Sequence, residues 1–260
     1  MKILITGGSG YIAKSLYANI SQRYDTLLIN RQILNLENSN EVDKFFHDKY
    51  FDVVIHCAIS GGNRLKSDDW DILDKNLVMY YNLLKNKDHY GKFINFGSGA
   101  ELQSQNTPYG MSKMVIRHSI LEKDNFYNVR IYAVFDENEL DTRFIKSNLT
   151  RYINKESMMI FENKRMDFFY MKDLILLINH IIENDKESLI KEVNCSYMDN
   201  PTLLEIAEYI NTLEDYEVDI LVGQKISDDY FSKLNAPYLL NYMGWRKGVF
   251  ETHQKLKNAK

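Results

Sequence analysis

Residues 2–13 read KILITGGSGYIA: an apolar run, a cluster of glycines, then the start of a segment with helical spacing. KILIT (2–6) has too little polar alternation to face water on either side, which predicts a strand buried on both faces. From Tyr11 to Arg23, the residues Ile12, Leu16 and Ile20 stack at i, i+4 and i+8, which predicts a helix. A strand that turns through glycines straight into a helix is the opening of a βαβ unit. The chain then repeats the alternation. TLLIN (26–30), DVVIHCA (52–58), KFINFG (92–97) and VRIYAVF (129–135) read as strands; Glu41–Asp48, Trp70–Lys85 and Ser112–Lys123 read as helices. Doubly apolar strands separated by helices predict an α/β fold with a doubly wound parallel sheet, whose ligand crevice lies beyond the carboxyl ends of the strands.

After residue 136 the alternation loosens. A loop and helix, a short strand MMIF, and KRMDFFYMKDLILLINHIIEN as a strand edge entering an apolar helix come first. EVNCS (192–196) is a short strand, PTLLEIAEYIN (201–211) a helix with Thr202 as its cap, and GWRKGVFETHQKLK a last amphipathic segment. This predicts a small C-terminal α+β lobe made of 137–168 and 197–260. The dinucleotide-binding part is expected to be 1–136, with the helix and strand of 169–196 returning to it.

Composition narrows the function classes. Hydrophobic residues at 45% and charged residues at 26% suit a soluble globular chain, and the net charge of −4 offers no basic face for nucleic acid. No apolar stretch is long enough to span a membrane, the N-terminus does not read as a leader, and a cytoplasmic location is expected. Cys57 and Cys195 lie in apolar strand-like runs and read as buried thiols, neither bridged nor ligating; no metal is expected.

Two groups of residues carry chemistry. In the glycine turn, Gly7 and Gly10 permit a tight turn and close approach of a pyrophosphate, and the helix opening at Tyr11 offers free N–H groups and a positive dipole end. Ala13 stands where a third glycine would let helix and strand pack closely. The second strand ends in Asn30 and Arg31, with no acid until Glu37. An acid there would suit the ribose hydroxyls of NAD and an arginine suits the 2′-phosphate of NADP, so NADP is favoured and NAD stays open. The alternative reading of Arg31 is a solvated surface charge.

The second group is Tyr109-Gly-Met-Ser-Lys113. A Tyr and a Lys at i, i+4 share a helix face, where the ammonium stabilises the phenolate and lets the phenol exchange a proton with a substrate oxygen. Tyr81 and Lys85 show the same spacing without chemistry, so position is what separates the pairs: Tyr109 follows the KFINFG strand after a loop. That strand ends in Gly97-Ser98, and a hydroxyl there could share the substrate oxygen with Tyr109. A strand-end Ser also reads as an ordinary turn former.

TGGSGYIA, DVVIHCA, the Gly97-Ser98 pair and YGMSK together resemble the extended short-chain dehydrogenase/reductase family. RMDFFYMKD (165–173), EVNCSYMDNPTLLEIAEYI (192–210) and MGWRK (243–247) extend the resemblance over nearly the whole chain. RQILNLENSNEVDKFF, the AISGGN loop and the Asn76 helix look most like GDP-fucose synthase and related nucleotide-sugar 4-ketoreductases. The resemblance implies a Rossmann-type domain, a C-terminal lobe for a nucleotide sugar, and Ser98, Tyr109 and Lys113 as the catalytic triad. It implies cofactor contacts from Gly7, Gly10, Tyr11, Ile12, Arg31, Asn35, Leu36, Cys57, Ala58, Ile59, Asn76 and Lys113, with Asn76 structural or relaying. It implies substrate contacts from Ser60, Gly61, Arg143, Phe144 and Arg165, the two arginines on a diphosphate; each also reads as a surface charge. It further implies a homodimer through the helices of Trp70–Lys85 and Ser112–Lys123, although MVIRHSIL reads equally as sheet-facing core.

The departures from the family narrow the chemistry. Dehydratases of this kind carry Asp-Glu directly after the catalytic hydroxyl, whereas Gly99 and Ala100 follow Ser98 and Glu101 comes one place later. The fucose synthase type carries a Cys where Ala100 stands and a His in the stretch matched by DTRFIKSNL, which has none. The Ser98–Tyr109 stretch is short, so a loop walling the pocket in larger members is trimmed. What remains is hydride transfer at one carbon, expected to be NADPH-dependent reduction at C4 of a nucleotide-activated sugar destined for a surface polysaccharide. The rivals are a C4 epimerase that retains NAD, and a non-catalytic NADP-binding module; the presence of both Tyr109 and Lys113 argues against the module.

Overall fold

The computed structural model describes residues 1–62, 68–225, 228–232 and 240–259. The chain divides into two compact units, Met1–Arg130 with Ile178–Val193, and Ile131–Leu177 with Asn194–Lys260. In chain order the elements begin with β1 (Lys2–Thr6), α1 (Tyr11–Ile20), β2 (Asp25–Leu28), α2 (Ser39–Phe46), β3 (Phe51–His56), α3 (Asp71–Lys85), β4 (Tyr90–Ser98), α4 (Ala100–Gln103), α5 (Pro108–Leu121) and β5 (Phe126–Ile131). They continue with β6 (Val134–Phe135), α6 (Phe144–Ile153), β7 (Met158–Ile160), β8 (Phe169–Tyr170), α7 (Met171–Glu183), β9 (Glu192–Asn194), α8 (Leu203–Ile210), β10 (Ile220–Val222) and α9 (Gly244–Asn258).

Six strands form the central sheet in the order β2-β1-β3-β4-β5-β9, with flanking helices, as a Rossmann-type fold requires. The registers of β1 on β2, β1 on β3 and β3 on β4 are parallel. Ile3, Leu4 and Ile5 are wholly buried, as are Val54 and Ile55 of β3, so the apolar runs of the sequence sit where water is excluded from both faces. Each such side chain contributes about 1.5–3 kcal/mol by leaving water. The strand order reverses between β1 and β3. In doubly wound sheets that reversal opens the ligand crevice beyond the strand ends, here at Thr6 and His56, which pair in register.

Several boundaries differ from the sequence reading. Helix α5 starts at Pro108 instead of Ser112, because the Thr107 hydroxyl accepts the Gly110 N–H (3.1 Å) and Pro108 takes the first helical position. Tyr109 therefore belongs to the helix, one turn before Lys113. Helix α1 ends at Ile20, its last buried residue; Ser21, Gln22 and Arg23 are exposed and have no apolar face to extend. The expected strand over 129–135 is two strands, β5 and β6, interrupted at Tyr132-Ala133. β10, which pairs in parallel with β7, escaped the sequence reading: Leu221 and Val222 are half exposed, so no buried pattern marks it.

The second unit has its own core, including Phe135, Ile145, Leu149, Tyr152, Trp245 and Val249. The expected cap at Thr202 is a full capping box: its hydroxyl accepts the Glu205 N–H (3.1 Å) and Glu205 accepts the Thr202 N–H (2.7 Å). Such caps contribute about 1 kcal/mol. Asp173, the last residue of RMDFFYMKD, accepts the backbone N–H groups of Met243 (2.9 Å) and Gly244 (3.1 Å), and so fixes the start of α9.

Candidate active site

The turn after β1 is built for close approach. Gly7 has φ +74°, and a Cβ there would lie 2.6 Å from the Ala58 nitrogen, so only glycine lets this turn sit against the chain leaving β3. Gly10 precedes α1 without any side-chain cap, and the first turn of α1 carries no acid. The positive end of this helix suits an anion. Below the turn, the Thr6 hydroxyl accepts the Ala58 N–H (3.2 Å) and lies 3.0 Å from His56 Nδ1. Burial, with the Lys113 charge adding to it, pulls His56 down to about 3, so the ring is neutral.

The chain leaving β3 is clamped by Asn76. Its Oδ1 accepts the Ser60 N–H (2.8 Å), and its Nδ2 donates to the Ser60 carbonyl (3.0 Å) and to Ser112 Oγ (3.0 Å). Ser112 Oγ in turn donates to the Tyr109 carbonyl (2.7 Å). At about 1 kcal/mol net per bond, the buried amide ties the loop of Ser60 and Gly61 to the helix carrying Tyr109. Gly62, at φ +71°, lies against the Tyr109 ring: a Cβ there would come within 2.9 Å of two ring carbons. Asn63, the end of the AISGGN motif, lies outside the described residues.

Ser98 closes β4, and its Oγ accepts the Ala100 N–H (3.2 Å). Lys113 is almost fully buried; its ammonium donates to the Phe96 carbonyl (2.5 Å) and sits 5.8 Å from the Tyr109 ring centroid. Burial pulls Lys113 down to about 8, against the pull of Glu101 and Cys57 in the other direction. The thiol of Cys57 is itself pushed up by desolvation. Neither cysteine is in a disulfide; Cys195 is buried and Cys57 only partly so. Glu101, which the sequence places one position too late for a dehydratase, is fully buried and ion-paired to Arg130 (2.5 Å).

At the end of β2, Arg31 is exposed and forms a salt bridge with Glu37 (3.1 Å), so the chain folds back and returns the acid to the arginine. Asn35 Oδ1 accepts the Glu37 N–H (3.2 Å), and Leu36 is buried in the core beneath. Tyr11 and Ile12 begin α1 and are half-buried, while Ile59 is exposed. In the second unit, Arg143 precedes α6 and Phe144 is its first residue. Arg165 is exposed and donates to the Asn200 carbonyl (2.7 Å). Among the described residues no group of His, Cys, Asp and Glu could hold a metal ion, and no helix is long and apolar enough to cross a membrane. Sequence reasoning missed the burial of Glu101, whose only local signal is an acid behind a glycine-flanked strand end.

Comparison with known proteins bears on the family and the fold. Residues 3–195 match the family described as NAD dependent epimerase/dehydratase. The chain is 25% identical over 256 residues to CDP-abequose synthase of Yersinia pseudotuberculosis, covering 88% of this chain and 90% of that protein. It superposes on the NADP-bound GDP-mannoheptose C4 reductase of Campylobacter jejuni with a TM-score of 0.79 at 16% identity, covering 98% of both chains. It superposes on UDP-glucose 4-epimerase of Thermotoga maritima, bound to UDP-glucose, with a TM-score of 0.76 at 15% identity, covering 100% of this chain and 99% of that one.

Proposed function

We infer the function from one premise: the chain belongs to the NAD dependent epimerase/dehydratase family, and is therefore an enzyme that works with a nicotinamide cofactor. It acts as an NADPH-dependent reductase of a keto group, at C4, on a nucleotide-activated sugar. The observation that carries this reading is the arrangement of acids and bases around Ser98. A buried ammonium, Lys113, stands beside the Tyr109 ring, while the only acid of the Gly97–Gln103 segment, Glu101, is shut in an ion pair with Arg130. Such a site can donate one proton but has no free carboxylate in that segment for elimination. A CDP-sugar synthase relative and a similar GDP-sugar C4 reductase fold support the substrate class.

The residues fit the cofactor: Gly7 lets the turn pack against the chain leaving β3, and the start of α1, which has no side-chain cap, takes the pyrophosphate at its positive end. When bound, the nicotinamide supplies the hydride to the carbonyl carbon. Tyr109 gives its phenolic proton to the carbonyl oxygen as charge develops there, and Ser98 Oγ holds that oxygen by a hydrogen bond. Lys113, charged below about pH 8, stabilises the phenolate left behind and holds the nicotinamide ribose. Arg31 favours the 2′-phosphate of NADP, while Arg143 and Arg165 are assigned to the sugar nucleotide's diphosphate. The expected homodimer would cover Trp70, Val78 and Tyr81, which are exposed at the start and along the side of α3.

A panel of nucleoside-diphosphate-linked 4-ketosugars, followed by NADPH oxidation, tests the reading. Tyr109→Phe should bind NADPH as the wild type does and lose about a thousandfold or more in turnover. Stoichiometric NAD(H) carried through purification of the wild type would replace the reductase with an epimerase.

A further inference from the structure

Glu101 lies on α4, directly behind the strand end that carries Ser98, and none of its surface reaches water. Its Oε1 accepts from Asn128 Nδ2 (2.9 Å) and Arg130 Nε (2.5 Å), and its Oε2 accepts the Ser98 N–H (3.3 Å). Arg130 also donates to Glu192, which accepts in turn from Arg117 on α5. Four charges thus run from α4 through β5 and β9 to the helix of Tyr109 and Lys113. Burying such a set contributes little to stability, because desolvation offsets the Coulomb gain. What the set touches is more telling: one end holds the Ser98 backbone and the other holds α5.

Gly97 gives a second, independent observation. Its φ is ordinary, yet a Cβ there would lie 2.7 Å from Glu101 Oε2 and 2.7 Å from Asn128 Nδ2. The residue before Ser98 is therefore a slot for the Glu101 carboxylate. The glycine of the Gly-Ser pair makes room for the acid.

We propose that Glu101 is the positioning residue of this site: its carboxylate, locked by Arg130 and Asn128, fixes the Gly97–Ser98 strand end and supplies the countercharge for the Lys113 ammonium. The inference rests on the reductase reading for what Ser98 and Lys113 do. The titratable and charged groups around Lys113 are His56 at the end of β3, Cys57 just after it, Glu101 on α4 with Arg130 of β5 behind it, and Tyr109 on α5 itself. Burial pushes the Glu101 carboxyl up, but the Arg130 guanidinium paired to it and the N–H donors of Asn128 and Ser98 favour the carboxylate; with His56 neutral and the Cys57 thiol pushed up, the Arg130-paired Glu101 is the anion of that group.

The test uses the full-length enzyme and NADPH, titrated by its fluorescence from about pH 6 to pH 9.5. Wild-type affinity should fall as Lys113 loses its proton near pH 8. Removing the anion makes Lys113 easier to deprotonate, so in Glu101→Gln the midpoint should move to lower pH by about one unit. At the optimum, kcat should fall about 10- to 100-fold with the sugar KM within about twofold, as for a misplaced hydroxyl. Should Glu101→Gln fail to fold, the double variant Glu101→Gln, Arg130→Met leaves no buried arginine without its partner and should show the same midpoint shift. A midpoint that is absent in the wild type, or unmoved in these variants, overturns the proposal. Because binding needs no turnover, a shifted midpoint in an enzyme that reduces no sugar ketone would sink the reductase reading and leave Glu101 in its role.

Discussion

Lys113 in the first unit and Arg165 in the second are both cations assigned to a ligand, and the fold treats them in opposite ways. Lys113 is about 5% exposed, sits on the Phe96 carbonyl and is pulled down to about 8 by burial. Arg165 is exposed and donates to the Asn200 carbonyl from the surface. A charge buried before any ligand arrives costs stability but needs no reorganisation when the reaction occurs. A charge left in water costs little and can be changed freely. Under the proposed reading, the chemistry draws on a buried cation and the substrate contact on an exposed one.

The largest expected effect tests the buried side. Lys113→Met should reduce turnover about a thousandfold. Its effect on stability has a definite sign. Below pH 8 the lysine is charged in both states, and the folded protein carries the full burial cost. Between about 8 and the ordinary lysine value of 10.5 the unfolded chain holds the proton and the folded one does not, so wild-type stability rises with pH across that window. The rise is bounded by 10.5 − 8 units, about 3 kcal/mol. Lys113→Met should lack it. Chemical denaturation of both proteins at several pH values reads the difference, and parallel pH profiles would mean that Lys113 is not buried as a cation.

How much of this was legible beforehand divides along the same line. The strand-glycine-helix opening and the Tyr109-Lys113 pair are local patterns: the glycine turn follows β1, and Tyr109 and Lys113 stand one turn apart on α5, as their spacing required. The Thr107-Pro108 start of α5 was equally local, since a capping hydroxyl followed by proline is a sequence signal, and it was passed over in favour of apolar periodicity. Glu101 is different. Its partners Asn128 and Arg130 lie on another strand and Glu192 on a third, so nothing near it in the sequence tells a buried acid from a solvated one. The pairing of Glu37 with Arg31 is hidden for a related reason. Asn30 Oδ1 accepts the N–H groups of Gln32 and Ile33, making a turn that brings the acid back.

The arginines of the second unit predict a smaller effect. Arg165→Gln and Arg143→Gln should each raise the sugar-nucleotide KM about tenfold, the scale of one charge-assisted hydrogen bond to a diphosphate, with kcat and NADPH affinity unchanged. Initial-rate kinetics separate the constants. A fall in kcat at constant KM would move that arginine from binding into the chemistry and erase the contrast with Lys113.

The smallest effect is at the adenosine end, where the comparison is sharpest because a cation and an anion share one exposed site. Arg31 is about 71% exposed and its bridge to Glu37 is a surface pair, of the kind that contributes about 0–1 kcal/mol. A 2′-phosphate must draw the guanidinium away from that carboxylate, and the carboxylate repels the phosphate. Glu37→Gln removes both obstacles. It should increase the NADPH-to-NADH affinity ratio about two- to fivefold, and the gain should shrink in high salt. Arg31→Ala should lower the ratio instead. Isothermal titration with each cofactor measures both, and a ratio that responds to neither substitution would show that this end of the site leaves the 2′-position unread.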